Sequence, residues 1–426
     1  MIRTGWGLLG PEKVAIERRT RTLGLGATVR AFNNLAVPGM GNVYFGKQLA
    51  LAVLGIAVAQ QVRRDGIKAQ NIETANAIEA LGCRLAFEEN QWASDIRLRG
   101  VSKMQGTRIP TFHEARKRSF YVTQPMRMAT LQPLMEFGLV VARSERFNAF
   151  SIAEQGQHLV DVLCDSYPSV YYSQNVFQRL CGWVSGDGGS LWSLTKPLSP
   201  LEPLPHVARD LLRGCVIRGD GPEPERRRAA LVWVERCARE DSELTGSRPS
   251  ELDDAHWLDV EAGGLFFEAR NEALSFLDAV ETHMGNQDIP RLSFDKPLPQ
   301  GLSAYSSMLI ERAQAFIDLE HDPSPEREAT RFCRECLDEG CVVEHLVRRD
   351  DRVLRLGTDA VIPGPAYRGN WGGGLEADPG EEEESAAEGQ IQLPGTAGIL
   401  SPRIGSLLLF AIDLQGKLSE YLAACV

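Results

Sequence analysis

Residues 111–163 read TFHEARKRSFYVTQPMRMATLQPLMEFGLVVARSERFNAFSIAEQGQHLVDVL, the stretch of the chain with the most distinctive order of elements. Thr111 followed three residues later by Glu114 is a capping box: the hydroxyl accepts from one open helical N–H and the carboxylate reaches back to another. The helix it opens carries Arg116, Lys117 and Arg118. Thr123 is placed to cap a second helix, with Pro125 tolerated in the first turn because the N–H it lacks would be unpaired there. At about 100° per residue, Met128, Leu131, Met135 and Leu139 share one face of that helix, and Gly138 is placed to end it. Residues 139–141 and 147–152 read as two short strands around a charged tip of Arg143, Ser144, Glu145, Arg146 and Asn148. Glu154, Gln155 and Gly156 open an apolar helix that closes the stretch.

Helix, turn, helix, strand pair and closing helix is the order of a winged helix-turn-helix unit. The passage from Phe150-Ser151-Ile152 into Glu154-Gln155-Gly156 is similar to the strand-to-helix exit of many winged-helix regulators. The resemblance to winged helix-turn-helix DNA-binding proteins covers roughly an eighth of the chain and names no reaction. It implies a second helix in the major groove and a hairpin against the duplex. One feature departs from that pattern. The outward face of the second helix holds Met126, Ala129, Thr130, Pro133 and Phe137, where base reading wants Arg, Asn, Gln or Ser. An apolar face is more often covered by protein than by DNA, so Met126, Ala129, Pro133 and Phe137 are read as a protein interface. DNA contacts are expected from Arg116, Lys117 and Arg118 on the first helix and from Arg143 and Arg146 on the hairpin tip. Arg127 and Gln132 stand at the margins of the second helix, and Lys103 and Arg108 lie just upstream. The plainer reading of the stretch is a small helical hairpin packed inside a larger domain.

A chain of 426 residues exceeds one ordinary core, so two or three domains are expected. Its composition, 43% hydrophobic and 24% charged, is that of a globular protein, and a net charge of −11 argues against coating nucleic acid with the whole surface. The charge is uneven: residues 1–150 hold 21 Lys+Arg against 11 Asp+Glu, and the remaining 276 hold 25 against 46. That division suggests a basic working face on the N-terminal half and an acidic, partner-facing half; chance distribution of surface charge is the plain alternative. No signal peptide is read at the N-terminus. The most apolar run, Leu49 to Ala59, is half a membrane span and reads as a buried helix. Nine cysteines without framework spacing fit a reducing compartment, and a cytoplasmic location is expected.

In chain order, residues 1–110 read as a basic helical domain, with helices near Lys47 and over 69–88. The unit of 111–166 follows without a linker. Residues 167–363 read as an acidic helical domain: 182–205 as a long loop, helices at 207–215, 225–239, 265–283, 302–318 and 325–347, and a small strand pair over 352–362. Residues 364–395 contain Gly372-Gly373-Gly374 and the run Glu381–Glu384 and read as a disordered acidic excursion. A C-terminal helix within 396–426 is expected to pack on the helical domain.

Three constellations invite chemistry. Gly41 to Gln48 nearly matches the phosphate loop G-x-x-x-x-G-K-[ST], but Val43-Tyr44-Phe45 fills the loop and Gln48 replaces the hydroxyl; residues 408–413, ending in Asp413, imitate the acidic partner strand. A Gly-rich turn entering a buried helix explains it better. Cys333, Cys336, Cys341 and His345 have zinc-site residue types, yet in one continuous helix those positions rise about 18 Å and cannot converge, so small buried thiols are the reading unless Gly340 breaks the helix. Glu251, Asp253, Asp254, His256, Asp259 and Glu261 read as a solvated helix surface rather than a metal site. The sequence therefore reads as a mainly α, helical multi-domain protein with an embedded winged helix-turn-helix unit. The expected function is a non-enzymatic, DNA-backbone-contacting subunit of a larger assembly, with duplex DNA and other protein subunits as partners and no cofactor. The rival is a purely protein-binding adaptor. A nucleotide-dependent enzyme built on the degraded phosphate loop is the third reading.

Overall fold

Within the sequence GKQLALAVLGIAVAQQVRR, the run Leu49–Ala59 is small or aliphatic on every side of a helical wheel, has no face to offer water and so becomes a central helix. This is α2 (Gly46–Arg64), buried from Gly46 to Ala59. Before it runs α1 (Gly26–Ala36) and after it α3 (Asn71–Glu89), which packs along its length. The computed structural model describes residues 21–369 and 401–425, apart from 118, 220, 222, 241–243 and 245–246. Two short helices, α4 (Val101–Met104) and α5 (Phe112–Ala115), lead to a 3₁₀ turn (Met126–Thr130) and α6 (Leu131–Glu136). The hairpin β1 (Val140–Ala142) and β2 (Phe150–Ile152) follows, antiparallel with Val140 opposite Ile152, and then α7 (Glu154–Ser166).

The chain continues through α8 (Val176–Ser185), α9 (Thr195–Leu198), α10 (His206–Arg218), α11 (Pro224–Glu240) and α12 (Asp254–Gly285). It closes with β3 (Leu292–Ser293), α13 (Gln300–Asp318), α14 (Glu328–Cys336), α15 (Val342–Asp350), β4 (Leu354–Leu356), β5 (Ala360–Pro363), α16 (Pro402–Leu414) and α17 (Leu418–Ala424). The protein is mainly helical, as expected. Among the described residues no helix is long and apolar enough to cross a membrane.

Two hydrophobic cores hold these elements, and neither follows chain order. The larger gathers α3, the hairpin, α7, α8, α10 and α11 around α2 and α16; like α2, α16 is buried on all sides, from Arg403 to Leu414. The smaller packs the C-terminal part of α12 with α13, α14, α15 and the antiparallel sheet β3-β5-β4 around Phe266, Phe276, Phe316 and Phe332. Phe32 of α1 reaches into it and stacks on Phe266 at 5.1 Å, while Ala36 of the same helix lies in the larger core. α12, with 32 residues and hence about 48 Å long, runs through both: Val260 belongs to one core and Ala262 to the other.

Several expected boundaries move. The helix placed at 265–283 begins three turns earlier, because Asp253 caps it through the His256 N–H at 2.7 Å and the supposed acidic surface is its first turns. The single helix read over 325–347 is broken at 337–341 into α14 and α15. The C-terminal helix ends at Leu414 and restarts at Leu418 around Gly416, whose φ is +77°. Within the stretch 182–205, read as loop, lie the end of α8 and all of α9. The strand pair of 352–362 is present as β4 and β5, with β3 added on the far edge of β5. Most of the acidic excursion, 370–395, lies outside the described residues.

Candidate nucleic-acid interface

The capping box forms as read: the Thr111 N–H donates to Glu114 at 2.9 Å and the Glu114 N–H donates back to the Thr111 hydroxyl at 3.3 Å. The Thr111 N–H and then Arg108, at 2.6 Å, hold the Glu114 carboxyl down to about 2. The helix behind this cap is a single turn, α5. Thr123 does not cap the second helix. That end has Pro125 at its boundary and borrows its cap from α3, whose buried Glu79 accepts from the N–H groups of Met126 at 2.7 Å and Arg127 at 3.1 Å and from the Tyr121 hydroxyl at 2.9 Å. Gly138, at φ +66°, ends α6 as expected.

The apolar face expected to point outward points inward. Met126, Pro133 and Phe137 are buried and Ala129 is half-buried, while Met128, placed on the core side by the helical wheel, is 46% exposed. The reason is winding: Met126–Thr130 is 3₁₀, with three residues per turn, so a wheel drawn at about 100° per residue loses register there. The covering surface is the chain itself. Gly41 lies so close beneath Ala129 and Pro133 that a Cβ there would meet the Ala129 carbonyl at 2.5 Å, and the Arg227 guanidinium covers the Phe137 ring at 5.5 Å. These four residues therefore form an internal interface, not a surface offered to another protein.

The basic residues divide into tied and open ones. Arg116 pairs with Glu73 and lies over the Phe112 ring. Arg127 stacks on Phe147 at 5.3 Å and bonds Asn76, and burial lowers its pKa. Arg108 is held by Glu114, and Lys103 donates to the Tyr121 carbonyl at 3.1 Å. Gln132 is half-buried, and Arg118 lies outside the described residues. Lys117, Arg143 and Arg146 are exposed.

The hairpin is anchored from below. Asn71, the first residue of α3, donates to the carbonyls of Phe147 at 3.1 Å and Phe150 at 2.8 Å, and Asn148 accepts from the Ile72 N–H at 2.9 Å. The Phe147 and Phe150 rings, 5.5 Å apart, are buried, so residues 143–146 are lifted into solvent. The neighbouring turn between α2 and α3 adds exposed Arg64 and Lys68, while Arg63 is used to hold Ala69 and Asn71. Sequence reading placed Asn148 on the tip without its anchoring role and missed Asn71 and Lys68. The one available signal was the run Arg63-Arg64-Asp65-Gly66-Ile67-Lys68, a basic turn between two apolar helices.

The other constellations resolve into structure. Gly41 to Gln48 is a buried turn entering α2, as its plainer reading held, and the Gly46 N–H, where a phosphate would sit, donates instead to Asp413 Oδ2 at 2.8 Å. Lys47 is buried, donates to the Pro197 carbonyl at 3.0 Å, and is lowered to about 8 by burial, against the pull of Asp413. Cys333 and Cys336 are buried in the smaller core, and burial pushes the Cys336 thiol up to about 12; Cys341 sits on the break between α14 and α15, and His345 meets Asp338 at 3.2 Å. Among the described residues no group of His, Cys, Asp and Glu is placed to hold a metal ion. Asp259 is taken by Arg226 at 2.6 Å and His321 at 2.8 Å, and Glu251 by Arg236 at 2.7 Å. Comparison of the chain with protein-family models, with curated proteins and with solved structures finds no match to any of them.

Proposed function

We propose that this is a DNA-binding protein of a reducing, cytoplasmic setting. In this reading 111–166 works as a winged unit that grips the duplex by its phosphate backbone. The observation that carries the reading is the hairpin: Arg143 and Arg146 stand exposed on a tip pinned by Asn71 and Asn148. Lys117, Lys68 and Arg64 are exposed on the elements beside it. The same geometry argues against base reading by α6, because its apolar face is spent on the chain's own core and a covered helix cannot enter a groove. Contacts to phosphate alone give affinity through counterion release and little sequence information. Anisotropy titration of a labelled duplex at two salt concentrations tests this. Binding that is indifferent to sequence and falls steeply with salt supports the reading; no binding at low salt removes it.

A second reading, an adaptor that binds other protein subunits, is favoured by a different surface. Tyr305 and Met308, one turn apart on α13, and Ile289, Phe294 and Ile362 near the small sheet are exposed apolar side chains on the smaller core. Loss of a co-purifying subunit in Met308→Asp, with DNA binding absent, is the outcome that promotes the adaptor.

A further inference from the structure

A chain that is 24% charged places no Asp, Glu, Lys or Arg from Pro297 to Ile310. Yet Ser303, Ala304, Tyr305, Ser307 and Met308, on the first half of α13, are exposed. The inner side of that helix is accounted for, since Leu302, Leu309, Ala313 and Phe316 are buried in the smaller core. The outer side carries Tyr305, 40% exposed, and Met308, 47% exposed. Among the described residues these are the only two exposed large apolar side chains that share a helix. A solvent-facing helix side with apolar anchors and no charge is a contact surface.

Charge and spacing narrow what covers it. At net −11, two copies of this chain repel one another, so they can meet only where no like charges are opposed. An isologous contact sets each residue against the one equally far on the other side of the two-fold axis, and only the residue on the axis meets itself. At about 100° per residue, Gly301, Ala304, Arg312 and Ala315 lie within about 40° of Met308, with Tyr305 and Glu311 on opposite flanks. A second α13 laid antiparallel, with the axis through Met308, puts Gly301 over Ala315 and Ala304 beside Glu311. It sets the Tyr305 ring beside Arg312 of the second copy. Long side chains thus face small or flat ones, and the residue that meets its own copy is uncharged. Glu268 holds Arg312 at 3.3 Å by one guanidinium nitrogen, and such a pair occupies the edge of the guanidinium and not the faces on which rings stack.

We propose that this face of α13 docks a second copy of the chain as an antiparallel helix pair with its two-fold axis at Met308. A foreign partner would have to bring its own complement to this pattern; a second α13 already carries it. The contact rests on no reading of DNA binding.

Sedimentation velocity of the full chain over about 1–200 μM tests this. One helix pair is a small interface, so a monomer–dimer equilibrium with Kd of about 10–100 μM is expected. It should be as strong or stronger at high salt, because screening removes the repulsion between acidic copies and the contact opposes no like charges. Met308→Asp, at an exposed position that spares the core, should weaken it at least about tenfold. Met308→Cys tests the register directly. Helix axes about 8–10 Å apart, with Cα atoms about 2.3 Å off each axis, bring the two positions to roughly 3.5–5.5 Å, near disulfide geometry. Copper–phenanthroline as oxidant should link two Met308→Cys chains through that position, read by peptide mass spectrometry. It should not link Gln314→Cys, exposed on another side of the helix. The Arg143→Ala, Arg146→Ala double variant should dimerise unchanged, which separates this contact from the hairpin. A chain monomeric up to about 200 μM, a dimer indifferent to Met308→Asp, no link through Met308→Cys, or a foreign protein on α13 in place of a second copy overturns the proposal.

Discussion

Gly46 and Asp413 are 367 positions apart in sequence, yet the carboxylate of one closes the helix end of the other. The two stretches that contain them, 41–48 and 408–413, stand out in the sequence as a phosphate-loop pair, and they do meet. The plainer reading of 41–48, a turn into a buried helix, holds; that Asp413 is what closes this helix end was not legible, because a helix N-terminus attracts a carboxylate as readily as a phosphate. Asp413→Ala takes the carboxylate from beside a buried N–H and a buried ammonium, so it should destabilise the fold by about 3 kcal/mol, measured by urea unfolding at neutral pH. Lys47 gives a pH test. Its folded pKa of about 8 lies below the ordinary 10.5, so between those values the unfolded chain binds more protons and Lys47's contribution to stability rises with pH. Wild-type stability minus that of Lys47→Met should therefore increase from pH 8 to pH 10. The subtraction removes the opposite drift from buried groups such as Tyr121 and Cys83, whose raised pKa values cost stability as pH climbs. A flat or falling difference contradicts a buried Lys47.

At the level of elements, α2 was readable from its long apolar run and α3 from apolar residues at helical spacing, Ile72, Ala75, Ile78, Leu81 and Leu85, and their close packing follows from the small residues both carry. Gly55 shows how close: a Cβ added there would lie 2.5 Å from Ala75. Gly55→Ala should cost about 1–3 kcal/mol by forcing the helices apart, seen as a lowered melting temperature, whereas a helix-propensity effect alone would raise it. The hairpin was equally legible from its strand-tip-strand pattern. The face of the second helix was not, since 3₁₀ winding from Met126 and a cap lent by Glu79 of another helix leave no local mark. Asn71→Ala tests the hairpin's anchoring. With the Phe147 and Phe150 carbonyls left unpaired, amide exchange across 143–149 should accelerate and DNA affinity should fall, while α2 and α3 stay protected.

At the scale of the whole molecule, the larger core is closed by a helix from the far end of the chain. α16 packs against α1, α2, α10 and α11, so a chain ending before Pro402 should lack a cooperative thermal transition, checked by calorimetry. A truncated chain that melts cooperatively would show that the core is complete without it. Charge is also a property at this scale. The net charge is −11 with a basic first 150 residues, and of the exposed arginines described there Arg143 and Arg146 stand on the hairpin tip, with Arg63 and Arg64 at the end of the neighbouring α2. The most direct measurement is the salt dependence of duplex binding for the wild type and the Arg143→Ala, Arg146→Ala double variant. If both side chains neutralise phosphates, the log–log slope should lose about two in magnitude, with sequence preference unchanged. Equal slopes for the two proteins would contradict the hairpin as the DNA contact.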